Sequence, residues 1–171
     1  MARVPEFDPA TPRNPVQRAT RWLAKTRFGG WMALNVANRV DPLLIRASGG
    51  RLKMPSGAPT VLLNHTGAKS GKKRTTPLLY FTDGGRVILV ASQTGKARHP
   101  AWFHNVRANP EVELWAGGRG GSYRAQVADT ADRERLWGLA TRLYPGYDDY
   151  QRRADVAGRR IPVVVCEPLD D

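Results

Sequence analysis

Short apolar runs with polar residues at alternate positions dominate the chain from residue 60 onward and predict β-strands. Glycine, proline and charged residues separate the runs, and each run has the length of one strand. Asp83-Gly84-Gly85 joins two of them with the composition of a tight hairpin turn. The predicted strands cover residues 60–66, 74–82, 86–92, 111–116, 122–128 and 161–167.

Helical spacing of apolar residues appears before the strands and between them. Residues 15–47 form an amphipathic pattern with cations on one face and apolar residues such as Trp22 on another, interrupted at Gly29-Gly30. Further helices are predicted at residues 99–109, at 131–143, and after Tyr144-Pro145-Gly146 as far as residue 157. Residues 1–14 carry prolines and mixed charge and are expected to be extended or disordered.

The number and spacing of these elements indicate the fold class. Six short strands with long helical detours do not fit a parallel βαβ sheet, and they favour a small antiparallel β-barrel decorated by helices. Closure of the barrel would leave no unpaired strand edge. We divide the chain into an N-terminal tail and helical segment, residues 1–47, and a barrel domain, residues 48–171.

The charge balance narrows the range of partners. The chain has 27 Lys and Arg against 15 Asp and Glu, a net charge of +12, which favours nucleic acid, an anionic membrane surface or a polyanionic small molecule. No zinc-finger spacing, basic zipper or RNP-like aromatic strand is present, so nucleic acid is not expected. The basic segment at residues 15–47 fits peripheral contact with a membrane, and its apolar face also fits against the barrel.

The chain has a single cysteine, and this count excludes a disulfide framework. Cys166 follows three valines in a predicted buried strand, as expected for a small core residue. The N-terminus lacks the continuous apolar stretch of a signal peptide or a membrane span. We therefore expect a cytoplasmic protein, with peripheral association at the inner face of the cell membrane as an extension of that prediction.

Residues 65–78 concentrate polar chemistry between two predicted strands. They hold Gly67 and Gly71 together with four cations and four hydroxyls. Glycines permit turns whose amides point into the loop, and cations and hydroxyls beside them bind phosphate or carboxylate. The spacing fits neither a Walker A loop nor a dinucleotide fingerprint, since no helix pattern follows. The loop is therefore either an anion site on a β scaffold or a solvated hairpin tip.

Three tyrosines, Tyr144, Tyr147 and Tyr150, recur at every third position around the predicted helix start at Pro145. If Pro145 begins that helix, Tyr147 and Tyr150 lie near one face. A phenol can donate a proton and its ring can stack on a planar ligand, although three such rings can also simply close the mouth of a barrel.

The remaining candidates are weaker. Residues 91–95 form a turn of small and hydroxyl-bearing residues that can bring backbone close to a flat ring, although an ordinary loop has the same composition. His65, His99 and His104 form no ligand cluster, so we expect no metal site. No Gly-x-Ser-x-Gly nucleophile motif is present.

Taken in order, these motifs resemble the deazaflavin-dependent nitroreductases, the split-barrel oxidoreductases of actinobacteria that use coenzyme F420. The resemblance covers residues 50–168. Any one motif would be weak, but the ordered set is specific. The motifs are Gly67-Ala-Lys-Ser-Gly-Lys-Lys-Arg-Thr-Thr-Pro-Leu78, Ala91-Ser92 with Gly95, His99-Pro-Ala-Trp102 with Asn105, Ala108-Asn-Pro110, Tyr144-Pro-Gly-Tyr147-x-x-Tyr150-Gln-Arg and Arg160-Ile-Pro-Val.

The resemblance implies a split antiparallel β-barrel that binds F420, a deazaflavin with a phosphate and an oligoglutamate tail. The basic loop would hold the phosphate, Pro77 and Leu78 would flank the ring, and the turn at residues 91–95 would contact the deazaflavin. Trp102 and Asn105 would secure the tail or the loop. The implied cofactor-binding residues are Lys69, Ser70, Lys72, Arg74, Thr75, Thr76, Pro77, Leu78, Ala91, Ser92, Gly95, Trp102 and Asn105.

By the same resemblance, reduced F420 passes a hydride to an electron-poor acceptor such as a quinone or a nitroaromatic, and a proton follows. Tyr147 is the predicted proton donor, Ser92 assists it, and Tyr144, Tyr147 and Tyr150 shape the substrate pocket. A monomer is expected. Two alternatives stay open at this point: an FMN-dependent split-barrel enzyme, which would be dimeric, and a non-catalytic carrier of F420 or lipid.

Overall fold

The structure, a computed structural model, describes residues 3–9 and 59–169. Its six strands form a closed antiparallel barrel in the order β1-β2-β3-β6-β5-β4, closed by pairing of β1 with β4. The strands are β1 (Thr60–Thr66), β2 (Lys73–Asp83), β3 (Arg86–Val90), β4 (Glu111–Ala116), β5 (Arg119–Val127) and β6 (Val163–Pro168). The predicted antiparallel barrel is confirmed.

Three helices lie between the strands of the described part: α1 (Ala101–Ala108), α2 (Thr130–Leu143) and α3 (Gly146–Asp155). Each matches a predicted helix to within a few residues. Asp129 caps α2 by accepting a hydrogen bond from the Asp132 amide at 2.8 Å. Pro145 directly precedes α3, as the sequence predicts. Within residues 3–9 and 59–169, no helix has the length and apolar character needed to cross a membrane.

Two hydrophobic clusters hold these elements together. One fills the barrel, where alternate residues of β1 such as Val61 and Leu63 are completely buried. The other lies outside the barrel wall, between strands β2, β3 and β6 and helices α2 and α3. Because β6 contributes to both clusters, its residues Val163–Cys166 are buried on both faces. This explains why that strand is continuously apolar.

Three predicted strand boundaries are wrong by two residues or more, and one of them is the start of β6, which lies at Val163 and not at residue 161. Strand β3 ends at Val90 instead of residue 92, because the chain turns sharply after Ala91. Strand β5 begins at Arg119, so Gly120 and Gly121 belong to the strand and not to a loop tip. A Cβ on Gly120 would lie 2.0 Å from the Leu114 carbonyl oxygen, so only glycine permits this close pairing with β4.

The N-terminal residues 3–9 are extended and ordered against the barrel. Val4 is buried in the barrel cluster, and its amide donates to the Tyr123 hydroxyl at 3.1 Å. The Tyr80 hydroxyl donates to the Pro5 carbonyl at 3.0 Å. For residues 3–9, the extended form of the prediction therefore holds and the disordered form does not. The predicted amphipathic segment, its membrane contact and the domain boundary at residues 47/48 lie outside the described residues.

Candidate active site

Strand β2 changes its partner along its length, from β1 to β3. Residues 73–79 of β2 pair with β1, and pairing with β3 begins only at Tyr80, opposite Leu89. Strand β3 stays with β6, and the Ala91 amide donates to the Pro162 carbonyl at 3.0 Å. The turn at residues 91–95 follows the end of β3, just after the pair formed by Tyr80 of β2 and Leu89.

Strand alternation divides the predicted residues of β2 between two faces. Leu78 packs against the cluster inside the barrel, whereas Phe81 belongs to the outer cluster that contains Tyr147 and Tyr150. Thr76 therefore shares the inner face, and Thr75 and Pro77 share the outer face with Phe81. The Thr75 hydroxyl donates to the Asn64 side-chain oxygen at 2.7 Å. A ligand that lies on one face of β2 therefore cannot contact the side chains of all five residues from Arg74 to Leu78.

The basic loop between β1 and β2 is held by its own backbone. The Gly67 amide donates to the Lys72 carbonyl and the Gly71 amide to the Gly67 carbonyl, both at 2.9 Å, and Gly71 has a φ of 63°. The Ala68 amide donates to Asn105 Oδ1 at 2.9 Å. These three amides are satisfied within the protein, so the expectation that glycine-supported amides line an anion site is wrong for them.

The loop instead offers side chains. Lys69, Lys72, Lys73 and Arg74 are exposed, and none has an acidic partner among the described residues. A Cβ on Gly67 would lie 2.5 Å from Ser70 Oγ and 3.4 Å from Arg74 Nε, so a hydroxyl and a guanidinium converge beside this glycine. Unpaired cations next to hydroxyls fit phosphate and carboxylate groups.

Two arginines elsewhere on the surface differ from the loop cations because they form ion pairs with acidic residues. Arg86 and Arg135 both bind Asp83 and Asp132. Hydrogen bonds from Arg135 and Arg86 lower the pKa of Asp83 to about 2. These cations are neutralised by their neighbours, so the excess positive charge of the described residues is not evenly spread, and the loop carries a share of it without compensation.

The turn after β3 has an unusual backbone. Gln93, Thr94 and Gly95 have φ values of 48°, 54° and 79°, so two residues with side chains occupy the left-handed region. Such residues cost about 1–2 kcal/mol each and persist where the surroundings hold them. Ser92 lies at the start of this turn and is half-buried. The turn therefore requires support from outside itself.

Arg159 supplies that support and was not anticipated from the sequence. Its guanidinium donates to the carbonyl oxygens of Ala91 at 2.6 Å and Ser92 at 3.0 Å, and also to that of Lys96. Its Nε donates to His99 Nδ1 at 3.0 Å. Arg159 is buried and has no carboxylate partner among the described residues, and burial lowers the pKa of its guanidinium. No local pattern marks this arginine, because its partners are mainly carbonyl groups.

Gly95 joins the turn to helix α3. A Cβ at this position would lie 2.5 Å from the Tyr150 carbonyl oxygen and 2.8 Å from the Arg153 Cβ. The glycine therefore permits direct backbone contact between the turn and the helix that carries two of the predicted tyrosines. The structure thus brings Ser92 and Gly95 together with the tyrosine group through a contact that a larger residue would prevent.

The three predicted tyrosines form one cluster. The rings of Tyr144 and Tyr147 meet edge to face with centroids 5.3 Å apart, and Tyr150 lies 5.9 Å from Tyr144 and 6.3 Å from Tyr147. The hydroxyls of Tyr144 and Tyr150 are hydrogen-bonded at 3.2 Å. Tyr147 and Tyr150 are buried and Tyr144 is half-buried. The shared helix face predicted for Tyr147 and Tyr150 is confirmed.

The Tyr147 hydroxyl differs from the other two, since it has no hydrogen-bond partner among the described residues. Burial raises the pKa of the Tyr147 phenol, and the neighbouring Tyr144 raises it further. The phenol therefore stays protonated at neutral pH. A buried hydroxyl with no acceptor is rare in folded proteins, and it marks a place where a ligand atom can complete the bonding.

Helix α1 contributes two further predicted residues. Trp102 is buried in the barrel cluster. Asn105 is buried too, and its amide contacts the Ala68 amide and His65 Nδ1. Both side chains thus hold the barrel and the basic loop in place, and their direct contact with a cofactor stays a prediction.

Comparison with known proteins places the chain in a family. The model of the F420H(2)-dependent quinone reductase family matches residues 38–168. An F420H(2)-dependent quinone reductase of Mycobacterium tuberculosis (strain H37Rv) is 37% identical over 132 residues, which cover 74% of this chain and 87% of that protein.

Two solved structures are also similar. A structure described as an F420-H2 dependent reductase (FDR-A) is 42% identical, with a TM-score of 0.58 over 64% of this chain and 94% of that one. Another, described as a domain-swapped dimer, is 36% identical, with a TM-score of 0.61 over 77% of this chain and 96% of that one. The protein belongs to the F420H(2)-dependent quinone reductase family and is an oxidoreductase whose cofactor is coenzyme F420.

Proposed function

We propose that this protein catalyses hydride transfer from reduced F420 to a quinone-type acceptor and that Tyr147 provides the accompanying proton. The observation that carries the proposal is the buried, protonated Tyr147 hydroxyl, which has no partner among the described residues. The contact between Gly95 and α3 joins its helix to the turn predicted to contact the cofactor. Family membership supplies the reaction class.

The predicted cofactor-binding residues fit F420. Its phosphate and glutamate tail are anionic, and the exposed cations Lys69, Lys72 and Arg74 beside Ser70 carry charge that no described acid neutralises. Thr75, Thr76, Pro77 and Leu78 lie along β2, and we infer that they flank the deazaflavin together with Ala91, Ser92 and Gly95 of the turn after β3. Trp102 and Asn105 would contribute by holding the loop in position.

When bound and reduced, F420 supplies the hydride. The protein has to orient the acceptor and deliver one proton, so that the hydride and the proton together add two electrons and two protons to the quinone. Tyr147 would give its proton to the acceptor oxygen that becomes a hydroxyl and would recover it from solvent. Ser92 would assist by hydrogen bonding, and Tyr144 and Tyr150, tied by their mutual hydrogen bond, would form the wall of the pocket.

The acceptor class is inferred from relatives named as quinone reductases. Edge-to-face tyrosine rings suit a flat, electron-poor ring, and a nitroaromatic compound meets the same requirement. The quinone is the acceptor we propose, and activated nitroaromatics are expected to be slower substrates of the same site.

The test is reoxidation of reduced F420 by the purified full-length protein. Titration with oxidised F420 should first show saturable binding. Mixing with reduced F420 and menadione should then restore the absorbance of the oxidised cofactor at a rate proportional to enzyme concentration. Binding without reoxidation by menadione or other quinones would favour a carrier, and absence of binding would contradict the proposal altogether.

Two finer points belong to the same proposal. We retain the prediction of a monomer, although one similar structure is described as a domain-swapped dimer. Light scattering on the purified protein decides between them. Peripheral membrane contact rests on residues 15–47, and sedimentation of the full chain with anionic vesicles, compared with neutral ones, tests it.

A further inference from the structure

A chain of hydrogen bonds runs from the basic loop through helix α1 to strand β2. The Ala68 amide donates to Asn105 Oδ1 at 2.9 Å. Because a backbone amide can only donate, the oxygen of the Asn105 side chain has to face it. The Asn105 Nδ2 group then faces His65 Nδ1 at 3.2 Å and donates to it. The orientation of Asn105 is therefore fixed by an unambiguous donor.

This orientation determines where His65 carries its proton. Since Nδ1 accepts from Asn105, the neutral ring is protonated at Nε2. Nε2 lies 3.0 Å from Thr76 Oγ1 and donates to it. His65 is buried, and its environment favours the neutral form, because burial and then the Arg74 charge lower its pKa. In each of the three hydrogen bonds, the donor is thus the group that lies nearer to the basic loop along this series.

The chain ends at a hydroxyl with a proton still to donate. Thr76 Oγ1 accepts from His65, and no acceptor for the Thr76 hydroxyl proton is present among the described residues. Thr76 is half-buried and lies near the exposed end of β2. Arg74 lies two residues earlier on the same face of β2 and has no acidic partner in the described structure. A hydroxyl donor beside a guanidinium suits a phosphate oxygen.

We propose that His65 is a positioning residue that turns the Thr76 hydroxyl into a hydrogen-bond donor for the phosphate of F420. The inference rests on the proposed function, since it assigns a partner within the F420 site. His65 does not itself touch the cofactor. It acts by donating to one of the two acceptor lone pairs of Thr76, which leaves the hydroxyl proton available to the ligand.

Two substitutions of His65 separate this role from simple support of the loop. The variant His65→Asn keeps an acceptor for Asn105 at the position of the histidine Nδ1, but its shorter side chain cannot reach Thr76. The variant His65→Gln keeps a donor for Thr76 at the position of the histidine Nε2, but it offers no acceptor to Asn105. If His65 acts through Thr76, His65→Asn should weaken F420 binding about tenfold and His65→Gln should weaken it much less. The opposite order would overturn the proposal.

A double-mutant cycle sharpens the test. Thr76→Val should lose about tenfold in F420 affinity, and Thr76→Ser should retain most of it. In the Thr76→Val background, His65→Asn should cause no further loss, because the hydroxyl through which it acts is gone. Additive losses would show that His65 acts independently and would overturn the inference. Thermal denaturation of each variant establishes that it is folded.

The ligand itself provides the last control. The deazaflavin chromophore without its phosphate and tail should bind wild-type protein and His65→Asn with the same affinity. Equal losses for the chromophore and for F420 would overturn the assignment to the phosphate. Failure of the proposed function looks different, since wild-type protein would then not bind F420 at all. Failure of this inference leaves wild-type binding intact and makes His65→Asn indistinguishable from it.

Discussion

The guanidinium of Arg159 donates to the carbonyl oxygen of Ser92 at 3.0 Å, from a side chain that is only 6% exposed. The same guanidinium binds the Ala91 and Lys96 carbonyls, so one side chain spans the whole left-handed turn. Guanidinium has a planar fork of five N–H donors, and this geometry lets it hold several acceptors at once. The conformation of the turn after β3 therefore depends on a residue 67 positions later in the chain.

Replacement of Arg159 by lysine should show how far that fork matters. Lysine keeps the positive charge but cannot satisfy the four acceptors together, so carbonyl groups of the turn are left unpaired. We expect Arg159→Lys to lower the free energy of unfolding by about 1–3 kcal/mol and to weaken F420 binding about tenfold. Denaturant unfolding and cofactor titration measure the two effects. Arg160→Lys is the matched control, because Arg160 is exposed and, within the described part of the chain, pairs with Glu134 alone; equal effects of the two variants would contradict this role.

Protonation of His99 should loosen the same turn. Its Nδ1 accepts from Arg159 Nε, and burial first, then Arg159, His104 and Arg107, lower its pKa below the usual 6.5. In the unfolded chain the imidazole binds a proton more readily, so the stabilising contribution is fully present above pH 6.5 and is lost as pH falls through the lower folded pKa. The melting temperature should therefore fall between pH 7.5 and pH 5.

His65 contributes to this pH dependence in the same direction, because its folded pKa is lowered too. His99→Asn removes one of the two titrations while asparagine retains an acceptor for Arg159. The variant should show a shallower loss of stability on acidification, by at most about 1.4 kcal/mol per pH unit. A pH profile identical to that of wild type would exclude His99 as a contributor.

Much of this architecture follows from local pattern, and the main omissions have a common cause. Alternation of apolar residues predicted β1 because Val61 and Leu63 point into the barrel. Asp83-Gly84-Gly85 predicted the hairpin between β2 and β3 because two consecutive residues there need positive φ. Arg159 left no such trace, since its acceptors are mainly backbone carbonyls that any sequence contains. His65 and Asn105 meet only because the fold packs α1 against the β1–β2 loop, 40 positions apart in sequence.

One feature of the site was accessible from the sequence but needed a stricter use of strand geometry. Period-two alternation places Thr76 and Leu78 on one face of β2 and Thr75 and Pro77 on the other. The resemblance names all four as cofactor-binding residues without distinguishing the two faces. The boundary of β5 was misjudged for the opposite reason, because glycines suggest a turn even where, as at Gly120, they permit close strand pairing.

Gly95 should be intolerant of any side chain. Its φ is 79°, and an added Cβ would meet the Tyr150 carbonyl oxygen at 2.5 Å. Gly118 is a matched control because its φ is also 79° while no atom lies within 4 Å of an added Cβ. Gly118→Ala should cost about 1 kcal/mol from backbone strain alone. Gly95→Ala should cost clearly more and should reduce F420 affinity, measured by unfolding and titration; equal costs would mean that the contact with α3 yields easily.

The cations of the β1–β2 loop should give F420 binding a marked dependence on salt. We expect Lys69→Gln and Arg74→Gln to weaken binding, each by about tenfold at low ionic strength, and to make the salt dependence shallower. Arg124→Gln tests whether overall charge alone is responsible, since Arg124 is exposed and pairs with Glu111 on β4. If Arg124→Gln had the same effect as the loop variants, the cofactor would be sensing net charge and not this loop.

Tyr147→Phe should separate turnover from both stability and binding. The Tyr147 hydroxyl has no hydrogen-bond partner among the described residues, so its removal leaves no group unpaired and should change the free energy of unfolding by less than about 1 kcal/mol. Its ring contacts with Tyr144 and Trp137 are retained. Loss of a proton donor should nonetheless slow menadione reduction by about 10²–10⁴-fold. The dissociation constant of F420 should stay within about twofold of the wild-type value.

Tyr150→Phe provides the comparison, because it removes a hydroxyl that is hydrogen-bonded to Tyr144 but is not the proposed proton donor. Burial raises the pKa of the Tyr150 phenol as well, so both tyrosines are protonated at neutral pH. They differ in their hydrogen bonds and not in their charge. Stopped-flow reoxidation of reduced F420 should show the large loss only for Tyr147→Phe. A large loss confined to Tyr150→Phe would move the donor role to Tyr150, whose hydroxyl connects through Tyr144 to the half-buried edge of the cluster.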